Sequence, residues 1–356
     1  MQSRKQDVIR FALSGVVALG LAAVVLPTIA AEQLASRTVA GVDPAELQKM
    51  MELNSRPKSI PFPEDNPYSA EKAELGKMLF FDPRLSGANL ISCASCHNPS
   101  FGWEDGQPTG AGHGMNRLGR HTPTILNLAW GELFMWDGRM DSLEEQALGP
   151  IQAGVEMAQP LDELIAELQG IEGYPVLFEA AFPGEEISGD TIGMAIATYE
   201  RTVVSNRAPF DLWIDGDENA ISESAKRGFV VYNTTANCVS CHSGWNMTDD
   251  SFHDIGLASD DVGRAAEMND MPEFKHAFKT PGLRNIVQRA PYMHDGSLAT
   301  LSEVIDHYAD GFAQRPSLSD EMKPFKLSAA EKQDLIAFLE TLTSDDDPVE
   351  IPILPN

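Results

Sequence analysis

All four cysteines of this 356-residue chain stand in two copies of one frame, Cys-x-x-Cys-His. The first copy, in NLISCASCHNP, places Cys93, Cys96 and His97; the second, in ANCVSCHSGW, places Cys238, Cys241 and His242. The interval between the copies is that of a domain. Repetition of so specific a frame reads as two similar domains, in line with a length beyond what one ordinary core serves.

Three chemistries compete for the frame. A redox dithiol uses two thiols but has no need of the adjoining histidine in both copies. Zinc takes Cys, Cys and His, yet exported proteins seldom depend on free thiolates, and neither copy has a fourth ligand at ordinary spacing. Covalent attachment of haem c explains every position: two thiols add to the two vinyl groups, and the next residue offers imidazole to the iron. His97 and His242 are then proximal ligands of two different irons.

The N-terminus agrees with that compartment. Arg4, Lys5 and Arg10 precede an apolar run from Phe11 to Leu26, followed by small residues, the form of a secretory signal over residues 1–30 with a cut after Ala30. The alternative is an uncleaved anchor, because the run is long for a signal and short for a span. No later segment is apolar enough to cross a bilayer. The expected location is the periplasm. Twenty-six basic against 53 acidic residues give a net charge of −27, which argues against nucleic acid or an anionic membrane as partner and favours a basic protein.

Between leader and tail the expected organisation is a first haem domain over residues 31–206, a second over residues 207–344, and a tail over residues 345–356. Residues 32–66, polar and proline-bearing, read as an extended arm. Ser69 and Ser222 each cap a helix that runs toward a cysteine pair. Further helices are expected over Leu161 to Gln169, Gly189 to Ser205, Thr300 to Tyr308 and Ser328 to Leu342, the last opened by the capping box of Ser328 and Glu331 and expected to pack back on the first domain. Long Gly-, Pro- and Asn-rich stretches, Asn98 to Pro123 and Ser243 to Lys279, are uncommon in compact domains unless they surround something. A large cofactor is the natural filler. The fold expected is mostly α, with two cytochrome c-like haem domains packed around an inter-haem interface.

The remaining histidines are His113, His121, His253, His276, His294 and His307. His113 lies in GAGHGMNRLGRHTPT, a glycine loop able to carry it on and off an iron. Together with ELGKMLFFDPRLS, HTPTILN, MWDGR, QALGPIQAGVEM, FKTPGLRN and APYMHDGSLATLSEVI, the order of these blocks resembles the bacterial di-haem cytochrome c peroxidases and their MauG-type relatives, which oxidise residues of a partner protein.

The resemblance implies hydrogen peroxide as substrate and places it at the haem on Cys93, Cys96 and His97. His113 matches a displaceable distal histidine, Glu156 the distal glutamate that handles peroxide protons, and Trp136 the indole between the haems. Tyr308 falls where the peroxidases carry a methionine ligand to the second haem and MauG carries tyrosine; His307 is its rival, since adjacent helical residues point about 100° apart. The family also holds calcium between its haems. The matching side-chain position here is His121, and the carbonyl positions are Arg289 and Pro291. Imidazole is a poor ligand for so hard a cation.

Cleaving peroxide heterolytically needs a carboxylate to move a proton, which suits Glu156. A phenolate oxygen from Tyr308 favours oxidised over ferrous iron, the reverse of a thioether. The resemblance therefore points to a peroxidase that oxidises a protein partner at an aromatic side chain. Its rivals are peroxide detoxification with a small cytochrome c or cupredoxin as donor, and a non-catalytic di-haem electron carrier or redox sensor.

Overall fold

In each half of the molecule the helix leading to the cysteine pair is pressed against a later helix through one glycine. The structure, a computed structural model, describes residues 38–356, so the expected leader lies outside the described residues. The first half contains α1 (Pro44–Glu52), α2 (Ala70–Phe81), the short α3 (Cys93–Cys96), α4 (Leu143–Gln152), α5 (Leu161–Gly170), α6 (Gly173–Ala181) and α7 (Gly189–Thr202). The second contains α8 (Pro209–Ile214), α9 (Glu223–Asn233), α10 (Leu301–Asp306) and α11 (Ala329–Glu340). A two-stranded antiparallel sheet pairs β1 (Phe252–His253) with β2 (Phe278–Lys279).

The expected caps are in place. Ser69 Oγ accepts from Lys72 N at 3.1 Å and Ser222 Oγ from Ala225 N at 3.1 Å, while Ser328 and Glu331 cap each other reciprocally. Each satisfies a donor that a helix start leaves orphaned. A Cβ on Gly76 of α2 would overlap the Ala195 carbonyl of α7, and a Cβ on Gly228 of α9 would overlap the Asp334 carbonyl of α11. Only glycine permits so close a backbone approach. The two halves thus repeat one helix crossing as well as one sequence frame.

Around the first crossing Leu75, Leu79 and Phe80 pack on Ile192, Ile196 and Tyr199. Around the second, Phe338 places its ring 5.3 Å from Phe210, 5.4 Å from Phe229 and 5.0 Å from Tyr232. Each such buried side chain contributes roughly 1.5–3 kcal/mol.

Two chain ends cross between the halves. The lead expected to be an extended arm forms α1, whose N-cap Asp43 accepts from Ala45 N and Glu46 N, and whose Leu47 and Met51 enter the core of the second half. Conversely, the final helix α11 stays on α9, and it is the tail that returns to the first half: Val349 packs on that core and Pro355 O accepts from Arg84 Nη2 at 2.9 Å. Helices α4, α6 and α8 were not expected. Among the described residues no helix is long and apolar enough to cross a membrane.

Candidate functional site

Both Cys-x-x-Cys-His frames fold into a tight turn that aims the histidine inward. His97 N donates to Cys93 O at 2.8 Å, and His242 N donates to Cys238 O at 2.9 Å. Each imidazole then spends Nδ1 on a backbone carbonyl, His97 on Trp103 O at 3.2 Å and His242 on Met247 O at 3.0 Å. That bond puts the ring hydrogen on Nδ1 and the lone pair on Nε2, the form an iron ligand needs. Burial pushes both imidazoles below their ordinary range, which keeps them neutral.

The thiols fit the same group. None of the four cysteines is in a disulfide. Burial pushes Cys96 up to about 11 and Cys238 up to about 12, so these are neutral thiols rather than the low-pKa thiolates of a redox pair. His253 stands beside Cys241 as well, and its pairing with Asp249 at 2.7 Å raises it above its ordinary range. No local sequence signal singles out that histidine.

A cavity of about 460 Å³, in the size range of cofactor sites, has both His97 and His242 in its lining. Trp136 lies in its lining, with Nε1 donating to His121 O at 2.8 Å and its ring edge-on to His294. Trp130 and Trp245 also line it, edge to face with centroids 4.7 Å apart. Trp103 and Trp213 are core residues.

Tyr308 lines this cavity and His307 does not. A five-residue π turn, His307–Gly311, follows α10 and separates the two rings by 77°. His307 turns into the protein, where Nε2 meets Ile255 O at 2.9 Å. Burial raises Tyr308 well above the usual phenol range. His307 is thus turned out of the cavity lining, whereas the phenol next to it shares that lining with His242.

His113 and Glu156, 43 positions apart by their numbering, come together. His113 N donates to Glu156 O at 2.6 Å and to Val155 O at 3.1 Å, while a Cβ on Gly112 would overlap the Val155 carbonyl. The glycine loop is thus pinned to the turn after α4. His113 Nδ1 is buried without a protein partner. Burial raises the Glu156 carboxyl above its ordinary range, with Arg139 opposing.

The expected calcium position has a different donor set. His121 Nε2 meets Glu104 Oε2 at 2.9 Å and Nδ1 meets Gln107 O at 2.7 Å, so neither ring nitrogen is spare. Arg289, itself buried, brings Nε to 3.6 Å from Glu104 Oε1 and donates through Nη2 to Gly282 O. Pro291 lies in the same cavity lining. An imidazole with both nitrogens engaged, next to a guanidinium, does not fit an oxygen-seeking cation.

Comparison with known proteins agrees with this arrangement. The family profile "Di-haem cytochrome c peroxidase" matches residues 70–219, and the profile "Cytochrome c" matches residues 225–343. The chain is 52% identical over 303 residues to the methylamine utilization protein MauG of Methylorubrum extorquens, covering 84% of this chain and 86% of that one. It is 35% identical over 294 residues to a cytochrome c551 peroxidase of Nitrosomonas europaea, covering 81% and 85%. A crystal structure of a MauG-like protein associated with microbial copper homeostasis superposes with a TM-score of 0.75 at 34% identity, over 82% of this chain and 95% of that one. With two haem-attachment turns facing one cavity and relatives of this closeness, the chain belongs to the di-haem cytochrome c peroxidase/MauG family, carries two covalently bound haem c groups and is a peroxide-dependent oxidoreductase.

Proposed function

We propose that this protein uses hydrogen peroxide to oxidise an aromatic side chain on a basic protein partner, and that it does so in the periplasm after export. The orientation of Tyr308 carries the reading. It lines the cavity with His242, while His307 is held away by Ile255 O. An anionic oxygen ligand there makes the second site a poor electron acceptor and a good store of oxidising power. That suits removal of electrons from a protein side chain better than traffic with ordinary cytochromes.

When bound, the two haems supply the iron chemistry that accepts oxidising equivalents from peroxide. The residues of the chain supply the rest. His97 and His242, oriented by Trp103 O and Met247 O, would hold the irons through Nε2. A Glu156 carboxylate oxygen takes a proton from one peroxide oxygen and hands it to the other, so that the leaving oxygen departs as water. The balance is two electrons and two protons per peroxide, giving two waters. Trp136 lies in the wall of the cavity and relays electrons from one site to the other.

The test is to add peroxide to the oxidised holoprotein and follow absorption, then offer two reductants: reduced small cytochrome c, and a protein partner from the same cell analysed by mass spectrometry for aromatic oxidation. Aromatic oxidation without useful cytochrome turnover is expected. Fast cytochrome turnover with no modified partner would reverse the assignment in favour of detoxification, the reading that the retained His113 loop suits.

A further inference from the structure

We propose that Glu104, His121 and Arg289 form an internal ionic clasp between the two haem domains that takes the place of a divalent cation, and that this chain holds no calcium there. Three observations carry the inference. The first is the state of His121. Each ring nitrogen faces an oxygen that can only accept, Glu104 Oε2 at 2.9 Å and Gln107 O at 2.7 Å, so each must carry a hydrogen. A ring hydrogenated at both nitrogens is a cation with no lone pair left for a metal.

The second is the fate of the nearby carboxylates. Glu104 is 5% exposed and lies between the His121 imidazolium and the Arg289 guanidinium. Asp105 is held by Thr122 Oγ1 at 3.1 Å and by Gln107 N at 2.9 Å. The two cations, His121 and Arg289, thus match the charge of Glu104 and Asp105, so the carboxylates of this wall are already neutralised by the protein. A divalent ion entering here would have to displace these cations to gain the several oxygen ligands it requires.

The third is that the clasp already performs the mechanical task of such an ion. Glu104 and His121 belong to the first half, Arg289 and His294 to the second. His121 N donates to His294 O at 2.7 Å, and the Arg289 side chain is packed on Gly102 so closely that a Cβ there would lie 2.7 Å from its Cγ. The His121 carbonyl in turn receives the Trp136 indole N–H at 2.8 Å. The side chain that excludes the metal therefore sits on the residue that positions the tryptophan between the sites.

The experiment uses the mature holoprotein with both haems attached. It is equilibrated with calcium chloride, desalted and analysed for bound metal; thermal midpoint and haem absorption are recorded in calcium chloride and in EGTA. No retained calcium, and no shift of midpoint or spectrum between the two buffers, are expected. Stoichiometric calcium in the desalted wild-type protein, or a midpoint that falls in EGTA, would overturn the proposal. His121→Asn restores an oxygen ligand and removes one cation, so its midpoint should rise with calcium, with affinity of roughly 10⁻⁴–10⁻³ M. Glu104→Gln, which leaves one cation uncompensated, should lower the midpoint in both buffers alike. Should neither variant mature, the metal content of the wild-type protein decides alone.

Discussion

The backbone N–H of His113 donates to the carbonyl oxygen of Glu156 at 2.6 Å, which ties the only glycine-flanked histidine loop of the first domain to the candidate proton shuttle. Any movement of His113 must therefore pull on the turn that carries the carboxylate. The carboxylate is the place to begin testing.

Glu156→Gln keeps the size of the side chain and removes its proton chemistry. Both haems should remain attached, and the absorption change on adding peroxide should slow by roughly 10²–10⁴-fold in stopped flow, the usual contribution of a positioned acid-base group. Unchanged kinetics would show that Glu156 moves no proton.

Burial raises the Glu156 carboxyl, while Arg139 pulls it down. A carboxylate shuttle acts as a base in its ionised form, so on this proposal the wild-type rate should fall as pH drops, beginning at a higher pH than for an ordinary carboxyl. Arg139→Gln removes the opposing charge and should move that limb to still higher pH. In Glu156→Gln the limb should vanish.

Replacing the phenol of Tyr308 by a thioether tests the second site. Tyr308→Met should raise the potential of the second haem by on the order of a hundred millivolts, within the range over which axial ligands set haem potentials. Spectroelectrochemical titration reads the change. An unaltered potential and spectrum would mean that Tyr308 does not bind the iron.

Trp136→Phe removes the indole N–H that His121 O accepts, at a cost of about 1 kcal/mol in stability. The peroxide-dependent absorption change at the first site should persist, whereas oxidation of a protein partner should fall sharply. Loss of both together would place the damage in folding rather than in the relay.

Gly228→Ala probes the architecture. The added methyl would overlap the Asp334 carbonyl across the α9 and α11 crossing, so the holoprotein should lose roughly 1–3 kcal/mol. Gly76→Ala should do the same at the α2 and α7 crossing. Calorimetric midpoints unchanged from wild type would argue that the helices can slide apart without penalty.

Some elements were legible because the signal is local. Ser69, Ser222 and Ser328 cap their helices where expected, since a hydroxyl facing a helix start needs only its own next three residues. Other helices hid. The buried residues of α4, Leu143, Ala147 and Ile151, recur at helical spacing, but Gly149 and Pro150 interrupt the pattern. In α6 a glycine opens the helix and Pro175 follows, and α8 is only six residues long. The Leu47 and Met51 pair of α1 is too brief to distinguish a docked helix from a polar arm.

The candidate site divides in the same way. Six haem-binding residues stand in two contiguous frames, so their chemistry follows from residue type and spacing within five positions. The sequence alone therefore determined the cofactor and the repeat of the frame, while the acid, indole and phenol worth testing came from the resemblance of its blocks to a family. What faces what was decided only in three dimensions. The turn of His307 toward Ile255 O, the bond between His113 and Glu156, and the spending of both His121 nitrogens depend on partners between 14 and 52 positions away. A side chain's direction is set by the packing of helices that no local pattern encodes, and an ionic partner is chosen by shared burial rather than by neighbourhood in the chain.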